Sequence, residues 1–280
     1  MNYNNTLFNI RYLCGGKLAA IALLLCAAAA NGAQPDTTQI NPKATETWEP
    51  VPQVVSPGMG GAPPSDAIVL FAGNDLSACE KGVGASDTYA DFGEFLQKLQ
   101  KPGEPIQWNV DEGIMTVRPG AGYIKTKQAF GDAQLHIEWR SPTEPLKEGQ
   151  NRGNSGVFFK GLYEVQVLDS YQHQTYSNGQ AAAVYKQVPP LVNASLPPGE
   201  WQAYDIIFTA PIFGSGGSMV SPARVTVIHN GVLVQNNAAI WGPTTYRGIP
   251  IYRAHPEKLP LVLQDHNELV SFRNIWVREL

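Results

Sequence analysis

The spacing of apolar residues along positions 66–280 is predominantly that of β-strands. Short runs rich in β-branched and aromatic residues alternate with turn residues such as Gly, Asn and Asp. The runs are Ala67–Phe71, Gln107–Val110, Ile114–Val117, Tyr123–Thr126, Ala133–Arg140, Ser155–Lys160, Tyr163–Leu168, Ala203–Thr209, Ala223–His229, Val232–Gln235, Leu259–Gln264 and Val270–Arg278. Between two of them, Asn230-Gly231 predicts a tight hairpin, because both residues tolerate positive φ.

One segment alone follows a helical period. Within Asp91–Lys101 apolar residues recur three or four positions apart, and Pro102-Gly103 ends the pattern. About a dozen short strands with one helix indicate an all-β fold, in which two antiparallel sheets pack as a jelly-roll β-sandwich. The strand–helix alternation that builds a parallel sheet is absent from the sequence.

The N-terminus has the composition of an export signal. Arg11 and Lys17 precede an apolar run, Leu18–Ala30, that is too short to span a bilayer, and small residues follow it. We therefore expect residues 1–33 to be a signal peptide, and the mature protein to be periplasmic or secreted rather than integral to a membrane. Residues 34–65 are rich in Pro, Thr and Gly and predict a linker, which leaves residues 66–280 as one domain.

Charge and cysteine content narrow the functional classes. Removing Arg11 and Lys17 with the leader leaves 18 Lys and Arg of the 20, against 24 Asp and Glu, a net charge of −6 instead of −4. A protein that binds the phosphate backbone of a nucleic acid needs a cluster or row of Lys and Arg residues. The sequence has none, which argues against nucleic acid as a partner. Cys79 is then the one cysteine left, so an intrachain disulfide cannot form. Aromatic residues, 10% of the chain, and abundant amides suit a carbohydrate partner.

One strand carries titratable residues on a single face. In Gln134–Arg140, alternation places His136, Glu138 and Arg140 on the face opposite the apolar residues. The apolar residues must face the core, so these three form a row on the other face. The row predicts either a surface that binds or cleaves a ligand, or a solvated face with a cross-strand ion pair.

A second strand repeats this pattern. Glu164 and Gln166 share a face of Tyr163–Leu168, while Val165 points inward. Asp169 stands where this strand ends, a position at which functional residues often lie. Two carboxyl groups and one amide group, those of Glu164, Asp169 and Gln166, therefore lie along one strand and the loop that follows it.

Polar residues also interrupt three further segments. An apolar strand runs directly into Gln264, Asp265 and His266, which form either a ligand-binding cluster or a turn cap. Arg273 interrupts a strongly apolar strand, and we expect either it or the Asn that follows to point into the sandwich or its cleft. Asn154 lies in a Gly-Asn-Ser-Gly loop, where it either contacts a sugar hydroxyl or satisfies the turn.

The histidines lack the spacing of zinc ligands. Acidic and amide oxygens near Asp265 or Asp169 can hold a hard cation such as calcium, which leaves a divalent cation as a candidate cofactor. If the polar rows adjoin on one sheet, they line the groove in which jelly-roll sugar enzymes and lectins bind their ligands. Two carboxylates across such a groove can act as general acid and base.

Nine strings of the sequence are characteristic when taken together: Leu70-Phe71, Gly73–Ser77, Gly122–Lys127, Phe130–Asp132, Leu135–Arg140, Asn154–Val157, Tyr163–Ser170, Leu263–His266 and Phe272–Trp276. They resemble the 3-keto-disaccharide hydrolase domain family of secreted bacterial proteins. They follow the order of the family from residue 67 to the C-terminus. One departure is Ala78-Cys79, where the family often has Gly-Trp, so an aromatic wall from that loop is lost.

The resemblance implies a concanavalin A-like jelly roll and a hydrolase or lyase acting on glycosides whose C3 hydroxyl is oxidised to a ketone. The ketone acidifies the C2 proton, so a base can remove it, the C1 substituent can leave by elimination, and water can add back. On this chain the resemblance suggests Glu138 or Glu164 as the base and Asp169 or His266 as the partner acid.

Further polar residues are expected to contact substrate hydroxyls or the enolate oxygen: Arg140, Asn154, Gln166, Gln264, Asp265 and Arg273. Three other functional classes stay open at this point. They are a non-catalytic carbohydrate-binding module, an ordinary retaining β-glucanase, and a structural protein of the cell envelope. Gln166 counts against the glucanase, because a carboxylate at that position would serve its mechanism better.

Overall fold

The computed structural model describes residues 41–84, 91–144 and 147–280, and the predicted signal peptide lies outside them. The chain divides into two units, one up to Gln53 and one from Val54 onward. In the first unit, Pro42–Thr45 form a short 3-10 helix whose N-cap, Asn41, accepts a hydrogen bond from the Lys43 N–H. Of the helices in the described ranges, none has the length and apolar character needed to cross a bilayer.

Among its described residues, the second unit contains fifteen strands and one α-helix. The strands are β1 (Ile68–Phe71), β2 (Cys79–Lys81), β3 (Asn109–Asp111), β4 (Ile114–Thr116), β5 (Ile124–Phe130), β6 (Ala133–Arg140), β7 (Ser155–Phe159), β8 (Tyr163–Val167), β9 (Gln202–Thr209), β10 (Ile212–Phe213), β11 (Met219–Ser221), β12 (Arg224–His229), β13 (Val232–Ala239), β14 (Leu259–Leu263) and β15 (Ser271–Glu279). Helix α1 spans Phe92–Gln100, and 3-10 turns span Gly149–Asn151 and Ser177–Gly179.

Two antiparallel sheets form the sandwich. The large sheet has eight strands, in the order β13-β12-β9-β6-β15-β4-β3 with β1 also paired to β15. The small sheet has five strands, in the order β2-β5-β14-β7-β8. The jelly-roll β-sandwich predicted from the sequence is confirmed. The short strands β2, β10 and β11 were not predicted, because two or three residues are too few to show an alternation.

Local sequence signals account for the turn and the helix. Asn230 and Gly231 have φ values of 52° and 80° and join β12 to β13, which confirms the predicted hairpin. Asp91 caps α1 by accepting hydrogen bonds from the Gly93 and Glu94 N–H groups. The helix packs on the small sheet, where the ammonium group of Lys125 donates to carbonyls at its C-terminal end.

The core lies between the two sheets. Ile137 of the large sheet and Val165 of the small sheet are at most 2% exposed. Because successive side chains of a strand point to opposite faces, Glu138 and Glu164 point away from the core, each on the outer face of its own sheet. We call these outer faces the large-sheet face and the small-sheet face. They lie on opposite sides of the sandwich.

Residues 54–65 belong to the second unit. We call this segment the strap. The Gly61 carbonyl accepts hydrogen bonds from Asn274 Nδ2 at 2.8 Å and Trp276 Nε1 at 3.0 Å. Contacts of the compact unit therefore begin at Val54, ahead of the domain start at residue 66 expected from composition.

Candidate active site

Polar side chains cross one end of the small-sheet face as a row. Gln264, at the end of β14, donates from Nε2 to the Tyr123 hydroxyl at 3.2 Å, next to the start of β5. Its N–H donates to the Gly156 carbonyl at 3.0 Å, at the start of β7. Gly156 in turn stands opposite Gln166 of β8. Antiparallel pairing thus brings the ends of these four strands together at one end of the sheet.

Glu164 lies on the same face, and its carboxyl group leans over Gly156. A Cβ atom at Gly156 would lie 2.6 Å from Glu164 Oε1, so a glycine is needed there. Within the described ranges no hydrogen bond reaches the carboxyl oxygens of Glu164, and the residue is 4% exposed. Burial alone raises the pKa of Glu164 to about 8. This carboxyl group therefore remains largely protonated at neutral pH.

Unpaired polar atoms gather at this end of the face. Gln166 Oε1, Gln264 Oε1 and His266 Nδ1 are buried and lack a hydrogen-bond partner among the described residues. An unpaired buried polar atom costs about 1–3 kcal/mol, so these atoms are positions at which water or a polar ligand can bind. Burial also lowers the pKa of His266, although Glu268 opposes the shift. The imidazole is therefore neutral at neutral pH.

Asp169 is buried and already paired. Its Oδ2 accepts a hydrogen bond from Arg152 Nε at 2.8 Å, and its Oδ1 accepts one from the Tyr171 N–H at 3.2 Å. The carboxylate therefore holds the Arg152 guanidinium group at the edge of the face. Arg152 was not among the predicted site residues; the available signal was an arginine directly before the Gly-Asn-Ser-Gly loop.

Asn154 supports the loop rather than the face. Its Nδ2 donates to the Gln150 carbonyl at 2.5 Å. The Gln150 side chain bridges two parts of the site, because its Oε1 accepts from Gln166 Nε2 at 3.2 Å and its Nε2 donates to the Gly179 carbonyl at 2.9 Å. Gln150 is a second residue that the sequence analysis missed.

Asp265 takes the role of a turn cap. Its Oδ2 accepts from the Gly122 N–H at 3.0 Å and its Oδ1 from the Asn267 N–H at 2.9 Å, which ties the start of β5 to the end of β14. In the part of the chain that the structure describes, no three His, Cys, Asp or Glu residues are grouped so as to hold a metal ion.

The remaining predicted site residues lie on the large-sheet face. Glu138 Oε2 accepts from Arg273 Nε at 2.5 Å, and Glu138 Oε1 accepts from Asn274 Nδ2 at 2.9 Å. Burial pushes the pKa of Glu138 upward, but the hydrogen bonds from Asn274 and Arg273 outweigh burial and hold the pKa below its usual value. Arg140 and Arg273 flank the Trp201 ring, 4.7 and 4.1 Å from its centroid.

A β-bulge explains why two consecutive residues share this face. Asn274 has φ 47°, and the pairing of β15 with β6 shifts register between Arg273 and Trp276. Both Arg273 and Asn274 therefore reach Glu138 on the outer face. From the sequence, one of the two was expected to point into the sandwich or its cleft. The bulge instead lets both side chains contact Glu138.

The structure therefore divides the predicted site residues into two groups. One group lies at one end of the small sheet: Asn154, Glu164, Gln166, Asp169, Gln264, Asp265 and His266. The other group, Glu138, Arg140 and Arg273, lies on the opposite side of the sandwich. There a cavity of about 590 Å³, lined by Glu138 and by His136, separates the large-sheet face from the strap.

Comparisons with known proteins support a glycoside-acting enzyme. The family described as the 3-keto-alpha-glucoside-1,2-lyase-like domain matches residues 66–278. A crystal structure from Parabacteroides distasonis, assigned as a glycosyl hydrolase, has a TM-score of 0.75 at 47% identity, over 86% of this chain and 97% of that one. A second such structure from the same organism has a TM-score of 0.50 at 17% identity, over 77% of this chain and 94% of that one, and shows a shared fold. No curated protein matches the chain.

Proposed function

Because the chain belongs to the family of 3-keto-alpha-glucoside-1,2-lyase-like domains, we propose that it is a glycoside-acting enzyme that cleaves 3-keto-glycosides on its small-sheet face. The observation that carries the proposal is Glu164, a buried carboxyl group with a raised pKa beside amide oxygens that have no partner among the described residues. A titratable group whose pKa is strongly shifted by burial is a candidate for a catalytic residue.

The reaction proceeds by elimination and hydration. A base takes the C2 proton, the C1–C2 double bond forms, and the C1–O bond breaks while an acid protonates the leaving oxygen. Water then adds at C1 and a proton returns to C2, which gives net hydrolysis. The ketone at C3 makes this route accessible, because it delocalises the negative charge that develops when the C2 proton leaves.

We assign the acid to Glu164 and the base to His266. Burial raises the pKa of Glu164 to about 8 and lowers the pKa of His266, so the carboxyl group carries a proton while the imidazole is ready to accept one. This assignment exchanges the roles that the sequence suggested. Burial decides it, because burial favours the neutral form of both groups.

The other groups bind and orient the sugar. Gln166 Oε1 and Gln264 Oε1 accept hydrogen bonds from sugar hydroxyls, since neither has a described partner in the protein. Arg152, which Asp169 holds through Nε, directs its terminal amino groups to the developing enolate oxygen. Asn154 and Asp265 keep the surrounding loops in place.

The experiment compares a 3-keto-glucoside with its unoxidised parent in D₂O. We expect cleavage of the keto substrate alone, with deuterium at C2 of the released sugar, because C2 loses and regains a proton. Unreacted substrate and product incubated without enzyme give the spontaneous exchange. Cleavage of the parent without deuterium would indicate an ordinary glycosidase, and binding without cleavage a carbohydrate-binding module.

The pH dependence of kcat/KM separates the two roles of Glu164. If Glu164 is the acid, kcat/KM falls as the pH rises above about 8, where the carboxyl group of the free enzyme loses its proton. If it were the base, kcat/KM would rise through the same range, a result that contradicts the assignment.

We also propose that the mature protein is periplasmic or secreted, with residues 1–33 removed as the signal peptide. Mass spectrometry of the protein recovered from the periplasm or medium measures the mature N-terminus. An uncleaved chain in the cytosolic fraction would contradict this placement.

A further inference from the structure

The cavity between the strap and the large-sheet face lies on the side of the sandwich opposite the proposed active site. We call it the strap cavity, and its volume is about 590 Å³. Sites for small molecules in proteins typically have volumes of about 300–1,000 Å³. None of the residues assigned to the proposed active site lines the strap cavity. It therefore has the size of a ligand site and is separate from the proposed chemistry.

The strap is a closed loop that is fixed above the large-sheet face. The Ser65 N–H donates to the Ser56 carbonyl at 3.0 Å, and the Ser56 N–H donates to Ser65 Oγ at 2.9 Å, so the two ends of the loop meet. A Cβ atom at Gly58 would lie 1.6 Å from the Ala62 carbonyl oxygen, so this tight fold requires a glycine. Two side chains of β15 donate to the Gly61 carbonyl. The strap is thus held both to itself and to the face beneath it.

The two walls of the strap cavity differ in chemical character. The strap contributes apolar side chains and three glycines: Val55, Pro57, Ala62, Pro64, Gly58, Gly60 and Gly61. Beside Ala203 and Trp276, the large-sheet face contributes polar side chains: Gln134, His136, Glu138, Asp205 and Arg278. A pyranose ring has the same division, because its hydroxyl groups lie around the ring edge while its C–H groups form apolar faces. The strap cavity therefore matches a sugar better than it matches a wholly apolar ligand.

Two polar side chains of this wall keep hydrogen-bonding capacity for a ligand. Asp205 Oδ1 lies 2.7 Å from His136 Nδ1, whereas its Oδ2 has no partner among the described residues, and the side chain is 43% exposed. Gln134 Oε1 accepts from Arg278 Nη1 at 2.9 Å, which leaves the Gln134 amino group without a described partner. A carboxylate accepts hydrogen bonds and an amino group donates them. The wall thus offers an acceptor and a donor, which hydroxyl groups can engage together.

The strand pairing sets the distance between these two groups. His136 stands opposite Asp205 in the pairing of β6 with β9. Gln134 lies two residues from His136 on the same face, so it is the diagonal neighbour of Asp205, at a spacing of about 7–8 Å. Hydroxyl groups on one pyranose ring can span this distance.

We propose that the strap cavity is a second, non-catalytic carbohydrate site, and that it binds a pyranose with free hydroxyl groups. Asp205 accepts a hydrogen bond from one hydroxyl, and the Gln134 amino group donates to another. The apolar side chains of the strap cover a C–H face of the ring. This site goes beyond the proposed function, because the two sites share no residue.

The test follows Trp276, which lines the strap cavity, by ¹⁹F NMR of protein labelled with fluorotryptophan. Trp276→Phe identifies its resonance among those of the six tryptophans. The probes are methyl glucoside, methyl galactoside and methyl mannoside at millimolar concentrations. We expect at least one of them to shift the Trp276 resonance saturably. Asp205→Asn keeps an oxygen that accepts from His136, yet it should weaken this binding about tenfold, the fold-change that corresponds to one charge-assisted hydrogen bond.

Two further variants separate the strap cavity from the opposite face. Ala203→Leu fills the cavity without removing a polar group, and it should abolish the shift. Glu164→Gln changes the small-sheet face and should leave the shift unchanged. Asp205→Asn and Ala203→Leu should both keep the wild-type kcat/KM on a 3-keto-glucoside, because neither residue belongs to the proposed active site.

Three results would overturn the strap-cavity site. They are no shift with any of the three glycosides, a shift that survives in both folded cavity variants, and a shift that is lost in Glu164→Gln. Unchanged resonances of the other tryptophans show that a variant is folded, and if one cavity variant does not fold, the other decides. If the wild type cleaves no keto substrate, the proposed function fails, while the ¹⁹F shift still tests the strap cavity.

Discussion

The two outer faces of the sandwich carry the same kinds of residues and pair them differently. On the large-sheet face Glu138 accepts hydrogen bonds from Arg273 and Asn274, and a ring nitrogen of His136 lies 2.7 Å from an Asp205 oxygen. On the small-sheet face Glu164 has no described donor, and atoms of nearby glutamines and a histidine are unpaired. Among the described residues, Glu138 and His136 on the large-sheet face are paired, whereas Gln166, Gln264 and His266 on the small-sheet face keep polar atoms without a protein partner.

The register of neighbouring strands explains the difference. Glu138 stands opposite Arg273, and its neighbour His136 stands opposite Asp205, so each polar group meets a complementary one. Glu164 stands opposite Phe158, and Gln166 stands opposite Gly156. Neither has a polar partner on the adjacent strand. Whether a row of polar side chains indicates a functional site therefore depends on which residues the neighbouring strand places opposite the row.

The largest expected effect is on activity. His266→Gln removes the proposed base and should lower kcat about 10²–10⁴-fold. His136→Gln is the matched control, because it changes a histidine on the large-sheet face and should leave kcat close to that of the wild type. Rates are measured on a 3-keto-glucoside with folding verified by circular dichroism. Equal losses in both variants would contradict the separation of the faces.

The next effect is on stability as the pH changes. The pKa of Glu164 is about 8 in the folded protein and near 4.5 when unfolded. Between these values the folded state binds more protons, so the free energy of unfolding falls as pH rises, by about 1.4 kcal/mol per unit. Glu164→Gln should remove this part of the slope. Denaturant unfolding of the wild type and of Glu164→Gln between pH 4.5 and 8 measures this slope. The same slope in both proteins would contradict a buried, neutral Glu164.

A smaller effect is expected on the large-sheet face. Glu138→Gln leaves Arg273 without its charged partner and should reduce the free energy of unfolding by about 1–3 kcal/mol. The double variant with Arg273→Gln should lose less than the two single variants together, because the partners act as a pair. Chemical denaturation measures all three proteins. Strictly additive losses would mean that the two side chains are not coupled.

The smallest effect concerns the strap. Gly61 has φ 83°, and a Cβ atom there would lie 3.3 Å from Asn274 Nδ2 and 3.4 Å from His136 Nε2. Gly60 also has positive φ, 61°, but a Cβ atom there would meet nothing within 4 Å. Gly61→Ala should destabilise the protein by about 1 kcal/mol more than Gly60→Ala. Equal melting temperatures would show that the strap does not pack tightly on the face.

The sequence predicted which face of its own strand each residue occupies, but not which strands lie next to each other. Alternation is a local property, so it placed Glu138 and Glu164 correctly on non-core faces of β6 and β8. Whether two such faces adjoin depends on strand order, which brings β6 into the large sheet and β8 into the small one. The two candidate bases were therefore indistinguishable until the sheets were assembled.

Residues in irregular segments were beyond the reach of pattern analysis. Arg152 meets Asp169 across 17 positions of the chain, and the segment between them includes two strands. Gln150 connects three separate elements through one side chain. Neither residue lies in a periodic segment, so only the folded arrangement shows what each side chain contacts.

The most direct measurement compares kcat/KM of Glu164→Gln and Glu138→Gln on one 3-keto-glucoside. The two substitutions are chemically identical and act on opposite faces of the sandwich. The account predicts a loss of about 10²–10⁴-fold for Glu164→Gln, and a value close to that of the wild type for folded Glu138→Gln. A large loss in Glu138→Gln with activity kept in Glu164→Gln would place the chemistry on the large-sheet face and contradict the account.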